Sequence, residues 1–192
     1  MRALVVVESV FGNTRRIAEE VARGLAHGLG ESGQVRVADV GDAGDPLGGV
    51  DLLVVGGPTH AFAMTRMSTR RNAAEQAGGG AQPAETGLRE WLATLAEAPM
   101  DVRAAAFDTR VDRPRLPGSA AAGAARRLRR LGYDLVARPE TFRVSGTQGP
   151  LCEGELGRAR AWAPASPAPP PPPPAPPERA ERRRPDRGSN DP

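Results

Sequence analysis

The chain has 192 residues, 26 arginines against 23 aspartates and glutamates, and a formal net charge of +3. It contains no lysine, few aromatic residues and one cysteine, Cys152, which excludes a disulfide framework and a multi-cysteine metal site. The near-neutral balance, without clustered basic and aromatic residues, disfavours a nucleic-acid-binding protein. Its apolar runs are too short for a signal-peptide core or a membrane span, so we expect a cytoplasmic protein with no membrane partner.

A change of composition at residue 164 predicts the domain boundary. Residues 164–192 consist mainly of proline, alanine and arginine, and they cannot bury enough surface to repay the entropy of ordering. We therefore expect one folded domain over 1–163 and a disordered Pro/Arg-rich tail over 164–192. A ligand for a polyproline-reading domain is the alternative interpretation of the tail.

Strands and helices alternate along the folded part. The runs 3–7, 51–57 and 102–107 are wholly apolar or nearly so, as in strands buried on both faces, and 34–40 alternates like a strand with one covered face. A proline interrupts the last predicted strand, so that it is divided between 133–138 and 141–144. Helical spacing predicts helices at 14–26, 87–98, 118–132 and 155–163, and residues 58–87 predict a loop, a short helix and a flexible connection.

This alternation predicts an α/β domain with a five-stranded, doubly wound parallel sheet of order 2-1-3-4-5 and right-handed crossovers. Ligands of such sheets bind beyond the carboxyl ends of the strands, where the winding direction reverses. The reversal falls between the first and third strands. We therefore expect the functional site in the loops at 8–14, 57–66 and 107–117.

The loop after the first strand combines groups that suit a phosphate monoester. A helix start offers unpaired N–H groups, hydroxyls and an amide add further donors, and glycine allows close approach of the backbone. The residues concerned are Ser9, Val10, Phe11, Gly12, Asn13 and Thr14. The alternative interpretation is that Asn13 or Thr14 only caps the helix.

Better-known phosphate sites are excluded. A P-loop needs a lysine, which the sequence lacks, and no G-x-G-x-x-G fingerprint follows the first strand. A response-regulator receiver needs a lysine and an acidic pair, whereas only Glu8 follows the strand. These absences leave the hydroxyl-rich loop as the phosphate-binding candidate.

Two motifs carry a family resemblance. The sequence S-x-x-G-N-T follows the first strand and GGPTHAF follows the third, a combination that resembles the flavodoxin-like FMN-binding domains over roughly residues 1–163. The resemblance implies that the loop 9–14 wraps the FMN phosphate and that the other two loops hold the isoalloxazine ring. The ring contacts that it implies are Pro58, Thr59, His60, Ala61 and Phe62 on one side and Asp108, Thr109 and Arg110 near the other edge.

The sequence departs from that family in aromatic content and charge. The third loop supplies no aromatic side chain of its own, so Phe62 is the candidate stacking residue, with a core or lid anchor as its alternative role. Arg110, Arg113 and Arg115 in that loop would stabilise anionic reduced flavin if they pointed inward, and are otherwise solvated charges.

Two further features of the sequence have both a chemical and a structural interpretation. His60 could donate a proton beside the ring, which would favour a reductase over an electron shuttle, or could serve as a structural contact. The spacing Cys152-x5-Arg158 matches cysteine phosphatases, but two glutamates lie inside it. We expect no metal site and assign no catalytic residue.

The sequence therefore predicts an FMN-binding redox protein that transfers electrons through non-covalently bound FMN. Its redox partner would be another protein or a small-molecule electron acceptor. Two alternatives remain open: an FMN-dependent NAD(P)H or quinone oxidoreductase, and a flavodoxin-fold interaction module that no longer binds FMN. The sequence fits both an electron carrier and a small FMN-dependent oxidoreductase.

Overall fold

A computed structural model describes residues 1–44, 48–60, 63–76, 85–99, 101–114 and 117–164. The predicted contacts Ala61 and Phe62, and all of the predicted tail beyond residue 164, lie outside these ranges. The strands are β1 (Arg2–Val7), β2 (Gln34–Asp39), β3 (Leu52–His60), β4 (Ala63–Met64), β5 (Arg103–Val111), β6 (Asp134–Leu135) and β7 (Glu140–Val144). The helices are α1 (Asn13–Leu29), α2 (Met67–Gln76), α3 (Leu88–Thr94), α4 (Ala120–Arg130) and α5 (Glu155–Trp162).

The main sheet is parallel and has the order β2-β1-β3-β5-β6, with β7 also paired to β5. The predicted α/β fold and strand order are confirmed. The interrupted last strand forms two short strands that pair with opposite ends of β5. β6 lies beside Arg103 and Ala104, and β7 lies beside residues 107–111.

The third and fourth predicted strands are longer than the sequence indicated. β3 continues to His60 and β5 to Val111, because the two stay paired through Gly57 with Asp108 and Pro58 with Thr109. The expectation that 57–66 and 107–117 are loops is therefore wrong at their starts. The end of β3 also forms a hairpin with β4, in which His60 pairs with Ala63.

Each face of the sheet carries its own apolar core. The helices α3 and α4 cover one face through residues such as Leu92 and Leu128, whereas α1 and α5 cover the other through residues such as Ile17. On the α5 side, Phe107, Phe142 and Trp162 form three edge-to-face contacts with ring centroids 6.0–6.1 Å apart. These aromatic side chains belong to the core, where such pairs add stability beyond simple burial.

The two cores leave the carboxyl ends of β1, β3 and β5 as the region where loops can gather. Within the described ranges, no helix is both long and apolar enough to cross a membrane.

Candidate functional site

A cleft of about 280 Å³ opens at the carboxyl ends of the central strands, at the reversal point of the sheet. This volume is near the lower end of the roughly 300–1,000 Å³ range of small-molecule sites. The loop before α1 forms one wall, the ends of β3 and β5 form the floor, and α2 forms the opposite wall. The lining residues are Val10, Phe11, Asn13, Thr14, Pro58, Thr59, His60, Thr69, Asn72, Ala73, Gln76, Thr109, Arg110, Val111, Val144 and Thr147.

Helix α1 begins at the mouth of this cleft, and its N-cap residue makes no side-chain hydrogen bond. Gly12 is the N-cap residue, and its φ of 80° lies in the left-handed region that favours glycine. Asn13 and Thr14 make no capping hydrogen bond, so the interpretation that one of them merely caps the helix is wrong. The N–H groups of Gly12, Asn13 and Thr14 donate to no acceptor among the described residues. A free helix N-terminus of this kind attracts anions.

The side chains of the same loop are partly committed to the protein. The Ser9 hydroxyl accepts a hydrogen bond from the Arg15 N–H at 3.2 Å and keeps its own proton for another acceptor. The Asn13 amide nitrogen donates to the Gln148 carbonyl at 2.9 Å, which ties α1 to the turn after β7. Backbone N–H groups and the Ser9 hydroxyl are therefore the main donors available in this loop.

Thr14 and Thr109 join the helix to the floor of the cleft. Their Oγ1 atoms lie 2.7 Å apart, and both residues are buried. Because each hydroxyl carries one proton and only one is used between them, the pair retains one donor. That donor is available to an acceptor on the cleft side.

Asp108, predicted to lie near the ring edge with Thr109 and Arg110, lies outside the cleft. It is fully buried and does not line the cleft, because alternate strand residues face opposite sides and its side chain faces α4. Its Oδ2 accepts hydrogen bonds from Thr59 Oγ1 at 2.8 Å, Ser119 Oγ at 2.6 Å and the Ala121 N–H at 2.9 Å. Oδ1 has no partner among the described residues. Asp108 thus anchors the start of α4 behind the site, away from the expected ring edge.

The remaining predicted residues meet at the floor of the cleft. Pro58, Thr59 and His60 from β3 lie beside Thr109 and Arg110 from β5. Burial lowers the pKa of His60 below its ordinary value, so the imidazole is neutral at pH 7. Arg110 lines the cleft and donates to the Gly118 carbonyl at 2.9 Å.

Arg113, the next arginine of the third segment, does not line the cleft. The Arg113 side chain is 89% exposed beside Asp112, and Arg115 lies outside the described residues. Of the three arginines considered near the ring, Arg110 is the one that the structure brings to the cleft.

The sequence did not indicate the wall formed by α2 or the contributions from β7 and its following turn. Thr69, Asn72 and Gln76 line the cleft from α2, and Val144 and Thr147 line it from the other end. Phe11, predicted as part of the phosphate-binding loop, also lines the cleft. Thr69, Asn72 and Gln76 are spaced so that they lie on one face of a helix, and this pattern could have predicted a polar wall.

A buried polar cluster holds α2 in place. Arg70 is 1% exposed and donates to Glu90 Oε2 at 2.9 Å and to the Glu85 carbonyl at 3.0 Å. Glu8, at the end of β1, accepts hydrogen bonds from Thr65 and from the Leu88 N–H. Burial raises the pKa of Glu8 above its ordinary value, although hydrogen bonds from Thr65 and Leu88 and the charge of Arg70 oppose the rise.

The structure gives no support to a cysteine phosphatase site or a metal site. Arg158 pairs with Glu140 and Glu155 and lies 4.5 Å from the centre of the Phe142 ring, so it is committed to the fold. Among the described residues, no group of three or more histidine, cysteine, aspartate or glutamate side chains could hold a metal ion.

Comparison with known proteins identifies the fold. The sequence matches no protein-family model and no curated protein. The flavodoxin of Streptococcus pneumonia TIGR4 matches with a TM-score of 0.59 and 20% identity over 86% of this chain and 97% of that one. Flavodoxin 2 from Bacillus cereus matches with a TM-score of 0.58 and 19% identity, over 85% of this chain and 95% of that one. A flavodoxin from the domain Archaea matches with a TM-score of 0.56 and 18% identity, over 85% of this chain and 94% of that one.

The chain therefore has the flavodoxin-like fold, and the resemblance inferred from its two motifs is confirmed at that level. The matched flavodoxins share nearly their whole length with this chain. At such low identity the likeness establishes the architecture, and function has to be argued from the site.

Proposed function

We propose that this chain binds FMN non-covalently in the cleft and transfers electrons through it. The observation that carries the proposal is the N-terminus of α1, where three N–H groups have no acceptor among the described residues and which opens into a cleft between the ends of β3 and β5. The flavodoxin-like fold supports the same assignment. Bound FMN would supply the one- and two-electron chemistry, and the protein would supply binding, orientation and electrostatics.

The donors at the start of α1 fit a phosphate monoester. The N–H groups of Gly12, Asn13 and Thr14 are unused within the described residues, and Ser9 retains its hydroxyl proton. A Cβ placed on Gly12 would meet no atom within 4 Å, which leaves open space at the helix start. The first turn of α1 contains no acidic residue to repel the anion.

The walls of the cleft fit a flat, partly polar ring system. Phe11, Pro58 and Val111 offer apolar surfaces, whereas Asn72, Gln76 and Thr147 offer polar groups at the rim. Arg110 contributes a permanent positive charge, which would favour an anionic reduced ring. His60 is neutral at pH 7, so its ring can form a hydrogen bond without adding a charge.

FMN binding can be measured by the quenching of flavin fluorescence on titration with the purified full chain. We expect saturation at micromolar FMN, and a Ser9→Ala variant should weaken binding by about 1 kcal/mol because one phosphate donor is lost. Ser32→Ala, at an exposed position between α1 and β2, is the matched control and should bind like the wild type. Absence of quenching in the folded wild-type chain would reject the proposal.

A second candidate function is an interaction module without FMN. The observation in its favour is that the Asn13 amide and the Thr14 hydroxyl are already hydrogen-bonded within the protein. The fluorescence titration separates the two, since the module would leave added FMN unquenched.

His60 separates an electron carrier from a quinone reductase. If the protein is a carrier, a His60→Asn variant loaded with FMN should exchange electrons with a redox protein as the wild type does. If it reduces quinones directly, the same variant should lose turnover because the neutral imidazole no longer relays a proton. Steady-state quinone reduction with NADPH is the measurement.

A further inference from the structure

Positive charge is concentrated in one segment of the folded chain. Residues 113–133 contain six arginines and neither aspartate nor glutamate. The rest of 1–163 contains 15 arginines and 19 acidic residues, so it is net negative. The near-neutral total therefore conceals a marked charge asymmetry, centred on α4.

A groove runs along this basic segment. It has a volume of about 580 Å³ and lies between α3, α4 and the hairpin strand β4. Its floor on α4 is made of the small residues Ala122 and Gly123, and its rim carries Arg126 and Arg130, one helical turn apart.

Two arginines of the groove already serve the fold. Arg127 donates from Nε to the Leu92 carbonyl at 3.2 Å and satisfies the end of α3, and Arg89 donates to the Met64 carbonyl at 2.9 Å. Arg126 and Arg130, in contrast, are exposed and pair with no carboxylate in the part of the chain that the structure describes. Charges of one sign along an open groove complement a partner of the opposite sign.

The groove adjoins the proposed FMN cleft. Thr59 lines the cleft and Ser119 lines the groove, and both donate to the same oxygen, Asp108 Oδ2. His60 lines the cleft and is paired across the hairpin with Ala63, which lines the groove. The cleft and the groove are thus linked by the pairing of His60 with Ala63 and by the hydrogen-bonded carboxylate of Asp108.

We propose that the groove between α3 and α4 is the docking site for an acidic segment of a partner protein. The rim arginines pair with carboxylates of the partner, and the small residues of α4 let its backbone approach closely. If the chain binds FMN as proposed above, this docking brings a redox partner next to the cofactor. The docking itself does not require FMN.

The test uses the full-length chain without added FMN and a fluorescein-labelled dodeca-glutamate peptide, with binding followed by fluorescence anisotropy at low salt. The Arg126→Gln/Arg130→Gln variant should bind about fivefold more weakly, since each exposed pair contributes about 0.5 kcal/mol. The matched control Arg36→Gln/Arg138→Gln removes the same charge from exposed positions elsewhere and should bind like the wild type. Equal loss in both variants would overturn the assignment to this groove.

Gly123→Leu tests the groove without changing its charge. A Cβ at Gly123 would lie 3.4 Å from Met64 Cε, and a leucine side chain would extend from there into the groove. We expect weaker peptide binding with unchanged helix content, and unchanged binding would overturn the role of the groove. A labelled dodecathymidylate that bound more tightly than the peptide would replace the acidic-protein partner with a nucleic acid. Because FMN titration is measured separately, failure of FMN binding is distinguishable from failure of docking.

Discussion

The hydroxyl groups of Thr14 and Thr109 lie 2.7 Å apart in a buried hydrogen bond between residues 95 positions apart in the chain. Thr14 is in the first turn of α1, and Thr109 is near the end of β5. The bond fixes the start of α1 against the floor of the cleft. The geometry of the proposed FMN site therefore depends on a contact between two distant segments.

Removing either hydroxyl should destabilise the fold, because its partner is left buried without a hydrogen bond. We expect Thr14→Val and Thr109→Val each to reduce the free energy of unfolding by about 1–3 kcal/mol. The double variant should lose less than the sum of the two, since no orphaned hydroxyl remains. Urea denaturation of all four proteins measures this coupling, and strict additivity would contradict the pairing.

Two glycines of α1 should respond oppositely to the same substitution. A Cβ at Gly24 would lie 2.2 Å from the Arg160 carbonyl oxygen and 2.6 Å from Ala163 Cβ, so Gly24→Ala should push α5 away and destabilise the protein by about 1–3 kcal/mol. A Cβ at Gly28 would meet nothing within 4 Å, so Gly28→Ala should stabilise it by up to about 1 kcal/mol through helix propensity. Thermal unfolding of both variants checks the contrast. A gain in stability from Gly24→Ala would show that α5 does not pack against that face.

Arg70 should be far more sensitive to substitution than its neighbour. Arg70→Met removes the buried guanidinium that donates to Glu90 and to the Glu85 carbonyl, and it should cost about 1–3 kcal/mol in the free energy of unfolding. The cost is not larger because the Glu90 side chain left behind is 41% exposed and can be solvated. Arg71→Met, at the adjacent exposed position on α2, should change it by less than about 0.5 kcal/mol. Urea denaturation measures both values. Similar costs at the two positions would mean that the buried cluster does not hold α2.

Glu8 should make the folded state less stable as the pH rises. Because burial raises its pKa in the folded state above the ordinary value of 4.5, the folded protein holds the Glu8 proton more tightly than the unfolded chain does. This contribution to stability is present below about pH 4.5 and is lost as the pH rises through the folded-state pKa.

Glu8→Gln removes that titration while retaining a side chain that can hydrogen-bond. Arg70 and Glu90, which face Glu8, remain in both proteins. We expect the difference in unfolding free energy between the variant and the wild type to shift in favour of the variant from pH 4 to pH 7. A difference that did not change over this range would contradict the raised pKa.

The motifs and the apolar runs of the sequence were sufficient to predict the fold and to point to the loops around the candidate cleft. The runs at 3–7 and 102–107 form buried strands, and the strand order follows from their alternation with helices. The helix after residue 12 was predicted because its apolar residues recur at helical spacing, a local property that does not depend on the rest of the chain. The loop that opens into the cleft could be located because it lies between the first predicted strand and this helix.

The lengths of β3 and β5 could not be predicted, because their ends are held by pairing with each other and carry few apolar residues. Pro58 and Thr109 lie beyond the predicted strands, yet they are paired opposite each other in the sheet. Asp108 illustrates the consequence for the site. Its side chain faces α4 because successive residues of a strand point to opposite faces of the sheet. This alternation reaches Asp108 because β5 continues to Val111.

The sequence by itself determined which segments form strands and helices, since hydrophobic spacing is a property of neighbouring residues. Only the tertiary structure decided which polar side chains remain available for a ligand. The Asn13 amide donates to Gln148 and the Thr14 hydroxyl pairs with Thr109, whereas the N–H groups of Gly12, Asn13 and Thr14 donate to no acceptor among the described residues. The physical reason is that hydrogen bonds between distant segments form only when the sheet brings those segments together. No local sequence pattern specifies such tertiary contacts.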